Sequence, residues 1–450
     1  MALVLSGGTV VTSIDPVRIE AADVVVRDGR VASVGSAPDL GPADGRIDCR
    51  GCLVIPGNVC AHTHLYSALA RGMPYHLEPP RDFVEILRRV WWRLDRGLDE
   101  ASVRASALVG GMEALLSGTT TLIDHHASPN AIDGSLDVIA EALATLGIRS
   151  VLAYEVTDRD GPDRAEAGIL ENRRFAARVA SGSLPLARSM IGAHASFTLS
   201  EGTLAACADT ARATGNGLHV HVAEDAADEE DSRARYGISV MERLARADAL
   251  DERTLLAHGV HLDEEEVVAA RADGATFVHN ARSNMNNAVG RAPLRRLGGH
   301  VALGTDGIGA DMFEESRVAF FRAREDGAAA DPRWALARLA EGAKLAGRLI
   351  GEPLLGRIEP GAPADLVVLD HEAPAPVDAT SFPGHWIFGL SARTVRDVVV
   401  AGDVVVRDRQ LELVGEDWLT EHARAEAARL WSRLDAIGEH PFDPRTAAVR

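Results

Sequence analysis

Two short motifs in this 450-residue chain carry side chains that bind metals: His62-Thr63-His64, and His219-Val220-His221 followed by Glu224. Side chains at i and i+2 of a strand leave the same face, so each motif presents two imidazoles together. Either pair alone is a weak signal, because histidines buried without a metal are common. Two more reactive groups close apolar runs: His258 in LLAHG and Asp306 in LGTDG. Asp306 also reads as a turn residue, and Glu224 as an acid opening a helix. Jointly the pattern is stronger. Three of these histidines with one aspartate form a mixed nitrogen and oxygen ligand set with a coordination position left open, which is the composition of a catalytic metal rather than a structural one. A metal held there lowers the pKa of a bound water toward neutrality and yields hydroxide. Glu224 lies just past its strand and is placed for proton transfer rather than coordination. Asp306 and His258 are placed to orient or deprotonate the water.

Such a site needs strands that bring these residues to one place. Short apolar runs at 58–64, 119–124, 149–155, 189–195, 217–222, 253–258, 275–279 and 299–305 alternate with helical stretches, which predicts an α/β fold with a (β/α)8 TIM-like barrel. Each run ends on a polar group: His62 and His64, Asp124 with His125, Glu155, His194, His219 and His221, His258, His279, and Asp306. Barrel active sites form at the C-terminal ends of the strands. Residues 1–57 and the segments 364–370 and 395–406 read as short strands, from which we expect a small composite β-sandwich domain built from both termini. The expected division is 1–57 and 357–414 for the composite domain, 58–356 for the barrel, and 415–450 for a C-terminal helix and tail.

The net charge of −19 and pI near 5.3 argue against nucleic acid or an anionic membrane as partner. No apolar run approaches the roughly 20 residues of a membrane span, and the N-terminus lacks a signal-peptide layout. Four cysteines are too few for a disulfide framework, and Cys49-x-x-Cys52 has no second pair to complete a zinc knuckle. The expectation is a cytoplasmic protein. Trp91, Trp92 and Tyr75, after the first barrel strand, are candidates for either a flat aromatic pocket or core packing.

The segments PGNVCAHTHL, HVHVAE, LLAHG, HNARSNMN and LGTDG, ending in GRIEPGAPADLVVLD, resemble the amidohydrolase superfamily over nearly the whole chain, in its branch of cytosine deaminase-like and triazine hydrolase-like aminohydrolases. IDHHASPNAIDGSLDVIAEA and YEVTDRDG are similar to the SsnA-type aminohydrolases. The resemblance implies a barrel with a composite β-domain, and one divalent metal, usually zinc and sometimes iron, on His62, His64, His221 and Asp306. It implies Glu224 as general acid/base, and His258 in contact with the hydrolytic water and the substrate. His194 matches a substrate-touching position; His125 and Glu155 are assigned to the substrate pocket. Two-metal members bridge their ions with a carboxylated lysine of the fourth strand. The single lysine here, Lys344, follows strand eight, so one metal is expected. The implied reaction is hydrolytic removal of an amino group from an sp² carbon of a nitrogen heterocycle, releasing ammonia. Hydrolysis of an amide, another C–N bond or a carbon–halogen bond at the same metal is the alternative, and a non-catalytic scaffold a remote one. A homo-oligomer is expected by analogy.

Overall fold

The structure is a computed structural model that describes residues 2–37, 41, 44–327 and 330–447. Eight parallel strands form a barrel: β6 (Asn58–Thr63), β7 (Thr119–His126), β8 (Arg149–Val156), β10 (Ile191–Ala195), β11 (Leu218–Val222), β12 (Leu255–His258), β13 (Thr276–His279) and β14 (Val301–Leu303). The predicted fourth strand is split at Met190, because a short β9 (Ala187–Ser189) continues the pairing along β8. Strands β6 and β14 close the ring through Thr305 N–H to His62 O at 2.8 Å and His64 N–H to Asp306 O at 3.2 Å. Gly304 permits this approach: a Cβ there would lie 2.8 Å from the His62 carbonyl oxygen.

The barrel's lower interior is apolar. Val59, Ala61, Ile123, Val151, Ala153, Leu255, Ala257, Val278 and Ala302 share one core cluster with Ala343, Ala346 and Ile350 of helix Pro332–Ile350. A closed apolar floor leaves only the opposite mouth for polar side chains.

The strands of both termini form one nine-stranded sheet. It contains β1 (Ala2–Ile14), β2 (Val17–Arg27), β3 (Arg30–Gly35), β4 (Gly45–Asp48) and β5 (Cys52–Pro56) from the N-terminal end. The C-terminal end supplies β15 (Leu366–Asp370), β16 (Val395–Val400), β17 (Asp403–Arg407) and β18 (Gln410–Leu411). Strands β5 and β15 are apolar on both faces for a reason. Leu53, Ile55, Val367 and Leu369 join the main core, while Val54, Leu366 and Val368 pack in the sheet's own cluster. Alternate side chains therefore bury against different layers.

Between β6 and β7 lies an insertion of three short helical pieces, Phe83–Ile86, the π-helical turn Leu87–Trp91, and Trp92–Gly97. The terminal helix Glu416–Leu434 packs against this insertion and helix Glu100–Leu116, and the chain then runs back across the insertion.

Candidate active site

The barrel mouth gathers His62, His64, His221 and Asp306. His64 Nε2 lies 2.9 Å from Asp306 Oδ1 and 3.1 Å from His221 Nε2, and His62 Nε2 lies 3.5 Å from Asp306 Oδ1. Ligands held at 2.0–2.1 Å around one tetrahedral ion stand roughly 3.3 Å apart, so the spacing suits a zinc-sized cation. The second contacts of these rings settle their orientation. His64 Nδ1–H donates to the His125 carbonyl at 2.6 Å, and His221 Nδ1–H to the His194 carbonyl at 2.9 Å. His62 Nδ1 meets His219 Nε2 at 2.7 Å. Each ring thus has Nδ1 occupied and its Nε2 lone pair free for the centre, the usual outer support of a metal-bound imidazole. His62 Nε2 is buried with no hydrogen-bond partner among the described residues, which a cation would remedy. His64 pairs with Asp306. Burial disfavours its charge, but the carboxylate lifts it to about 9, while burial pushes His62 down to about 3.

Two of the groups sit on strained backbone. His258 has φ 75° and Asp306 φ 53°, in the left-handed region that residues other than glycine seldom enter. Strand parity alone would turn His258 away from its inward neighbour Ala257; the left-handed turn swings the imidazole back over the centre. Its Nε2 then lies 3.5 Å from Glu224 Oε2.

The helix Ala281–Asn286, just after β13, holds three of the reactive groups at once. Ser283 Oγ–H donates to Asp306 Oδ2. Asn284 Oδ1 accepts from His258 Nδ1–H at 2.8 Å. Asn287, at the helix end, donates from Nδ2 to Glu224 Oε1 at 3.2 Å. Glu224 is pushed up to about 7, chiefly by burial, with the nearby Asp306 charge adding to it against the pull of His258.

A pocket with about 550 Å³ of empty space, open solvent at its mouth included, lies above the ligands. Its walls include Tyr66, Phe83, Trp91, Trp92 and Phe197, with Glu155, His194, Glu224 and Asp228; among the described residues no lysine or arginine lines it. The Trp92 indole N–H is buried there without a hydrogen-bond partner among the described residues. Glu155 stands 3.6 Å from His194 Nε2 and takes an ion pair from buried Arg159 at 3.4 Å.

Residues 53–405 match the amidohydrolase family. The chain belongs to the amidohydrolase family. It is 31% identical over 424 residues to a 5'-deoxyadenosine deaminase of Methanothermobacter thermautotrophicus, covering 92% of this chain and 95% of that one. It is 30% identical over 421 residues to a 5-methylthioadenosine/S-adenosylhomocysteine deaminase of Desulforudis audaxviator, covering 91% and 94%. Its fold matches a zinc-bound adenosine deaminase of Xanthomonas campestris with a TM-score of 0.79 at 24% identity, over 96% of this chain and 98% of that one.

In this amidohydrolase the structure brings His62, His64, His221, Asp306, Glu224 and His258 together, and places Glu155 and His194 on the cavity wall. His125 is not among the cavity walls, although its ring lies within 4.8 Å of the His62, His64 and His221 nitrogens. That ring stacks on His219 at 4.2 Å beneath the ligands, because its position on β7 is one layer lower than that of Glu155 on β8. Its backbone carbonyl does the work, fixing His64. Trp91 and Trp92 line the cavity, whereas Tyr75 is not among its walls. His279 lies in a separate small pocket. Asp124, fully buried, accepts from Leu65 N–H at 2.7 Å and anchors the turn after His64. Sequence reasoning missed Ser283, Asn284 and Asn287 as supports. Their one signal is that three polar side chains follow a strand end within eight residues.

Proposed function

We propose that this amidohydrolase is a zinc aminohydrolase that replaces the exocyclic amino group of a flat nitrogen heterocycle by oxygen and releases ammonia, with one ion per chain. The observation that carries the reading is the convergence of four ligand atoms with Glu224 and His258 at the floor of an aromatic, acid-lined cavity. His62, His64, His221 and Asp306 would hold the ion, which supplies an acidified water and a positive charge for the transition state.

The chain's own groups supply the proton traffic. Glu224, as carboxylate, takes one proton from the attacking water and gives it to the ring nitrogen next to the reacting carbon. Asn287 holds the carboxylate in place by its Oε1 contact. The oxygen's second proton leaves with the amino group, so water plus amine becomes carbonyl plus ammonia, with the ring nitrogen keeping its new N–H. Asn284 fixes His258 in the tautomer that leaves Nε2 as an acceptor for the attacking oxygen's proton. Trp92 and Phe197 supply flat apolar contact, and Glu155 accepts from a donor edge of the ring. His194, tied through Nδ1 to Thr198 Oγ1 at 2.7 Å, offers Nε2 beside it. The relatives' names support a purine-like ring.

Ammonia release by the zinc-loaded protein from a panel of aminopurines, aminopterins, aminopyrimidines and aminotriazines tests this reading. Turnover on any of these confirms deamination. Silence across the panel with zinc bound rejects it in favour of amide or carbon–halogen hydrolysis.

A further inference from the structure

After its last long helix the chain turns back and crosses the outside of the 83–97 insertion, whose inner side roofs the substrate cavity. The insertion's arginines hold this returning segment by its backbone and acids. Arg93 Nε donates to the Ile437 carbonyl at 2.6 Å, Arg96 to the Gly438 carbonyl at 2.8 Å, and Arg88 Nε to the His440 carbonyl at 3.0 Å. Arg88 and Arg89 also pair with Glu439 at 2.6 and 2.8 Å. The grip places one imidazole, His440, deep inside at 2% exposure.

His440 is fixed on both nitrogens. Phe442 N–H donates to its Nδ1 at 3.1 Å, so the ring proton is on Nε2, which reaches Asp160 Oδ1 at 3.2 Å. Two routes lead from it to the cavity wall. The first is apolar: the ring meets Trp92 with ring centroids 5.4 Å apart, and Trp92 meets His194 at 5.9 Å. The second is ionic. Asp160 is 3.3 Å from Arg159 Nε, and Arg159 reaches Glu155 at 3.4 Å while pairing with Asp95. Arg159 also lies 5.2 Å over the Trp92 ring. Both routes end on Glu155 and His194, the pair that faces the substrate.

We propose that His440 is a positioning residue for substrate recognition, through which the C-terminal segment sets the cavity wall formed by Trp92, Glu155 and His194. It touches neither the ligands nor Glu224, so it governs how tightly the ring is held and not how the bond is broken. This rests on the deaminase reading only for its kinetic arm.

The test uses the full-length zinc-loaded chain and three variants. His440→Ala is expected to raise KM for a turned-over amino heterocycle at least fivefold, with kcat within twofold and zinc content unchanged. Amide exchange at 83–97 and 156–160 should quicken at least tenfold, while exchange in β1 stays as in the parent. His440→Gln, which keeps an N–H for Asp160, should restore protection at 156–160 and part of KM. Arg445→Ala, at the segment's exposed end, should match the parent. Unchanged KM and exchange in His440→Ala, or a fall in kcat together with zinc loss, overturns the proposal. If His440→Ala does not fold, Phe442→Ala, which removes a ring 5.8 Å from Trp92, must show the same KM rise or the proposal fails. If the parent turns over no amino heterocycle, the deaminase reading fails, and the exchange comparison still decides this one.

Discussion

Asn284→Ala isolates one hydrogen bond of the catalytic group. His258 is fully buried, and its Nδ1–H has Asn284 Oδ1 at 2.8 Å as its close acceptor. The nearby Asn280 contact is longer, at 3.5 Å, and presents an amide nitrogen. Truncation strands a buried donor, which costs about 1–3 kcal/mol. The imidazole can recover that energy by flipping or taking the other tautomer, and either puts an N–H where the attacking oxygen needs an acceptor. The productive state then pays the full cost, so kcat/KM should fall by about 5- to 150-fold. Zinc content should not change, because Asn284 contacts none of the four ligands. Steady-state ammonia release with metal analysis on the same sample reads both quantities. Parental kcat/KM in Asn284→Ala refutes the assigned tautomer, and loss of zinc shows that Asn284 supports the ligands and not His258 alone.

Three further outcomes follow from the same geometry. Glu224→Gln should keep zinc and lose kcat by at least about a hundredfold. In the parent, kcat/KM should rise with pH as Glu224 ionises, at a pH below about 7 because a bound cation favours the carboxylate. That limb should vanish in the variant, and an unchanged limb removes Glu224 from proton transfer. His219→Ala unties His62 Nδ1 and should weaken zinc binding by about 10- to 100-fold in a competitive chelator titration; parental affinity would make His219 a packing residue. Glu229 is pushed up to about 8 by burial and by neighbouring Glu266, so the folded state holds a proton that the unfolded chain has released. Its stabilising effect is present at low pH and is lost as pH rises through about 8. The melting-temperature gain of Glu229→Gln over the parent should therefore grow from pH 5 to 8 and level off above; a constant offset contradicts it.

The barrel was legible because apolar runs and polar strand ends recur eight times, and strand parity pairs His62 with His64 and His219 with His221. Parity misleads where the backbone leaves strand geometry. His258 and Asp306 reach the centre through left-handed turns that their residue types do not announce, although Gly259 and Gly307 beside them hint at bends. It also says nothing of depth along the barrel axis, which is why His125 is read as a wall residue and lies beneath the ligands. The supports on Ala281–Asn286 were hidden for another reason. Hydrogen bonds to Asp306, His258 and Glu224 depend on where a short helix sits, which no spacing encodes. The C-terminal segment was hidden by distance, since Arg88 and His440 meet across some 350 residues of chain.

Under the proposed function, one divalent ion on His62, His64, His221 and Asp306 makes this chain an aminohydrolase. The direct measurement is ammonia release by chelator-stripped protein during stepwise return of zinc, with bound metal counted at each step. Expected are no turnover without metal, a linear rise, and a plateau at one zinc per chain that Asp306→Asn fails to reach. Turnover that survives complete stripping, or a plateau at two ions per chain, would contradict it.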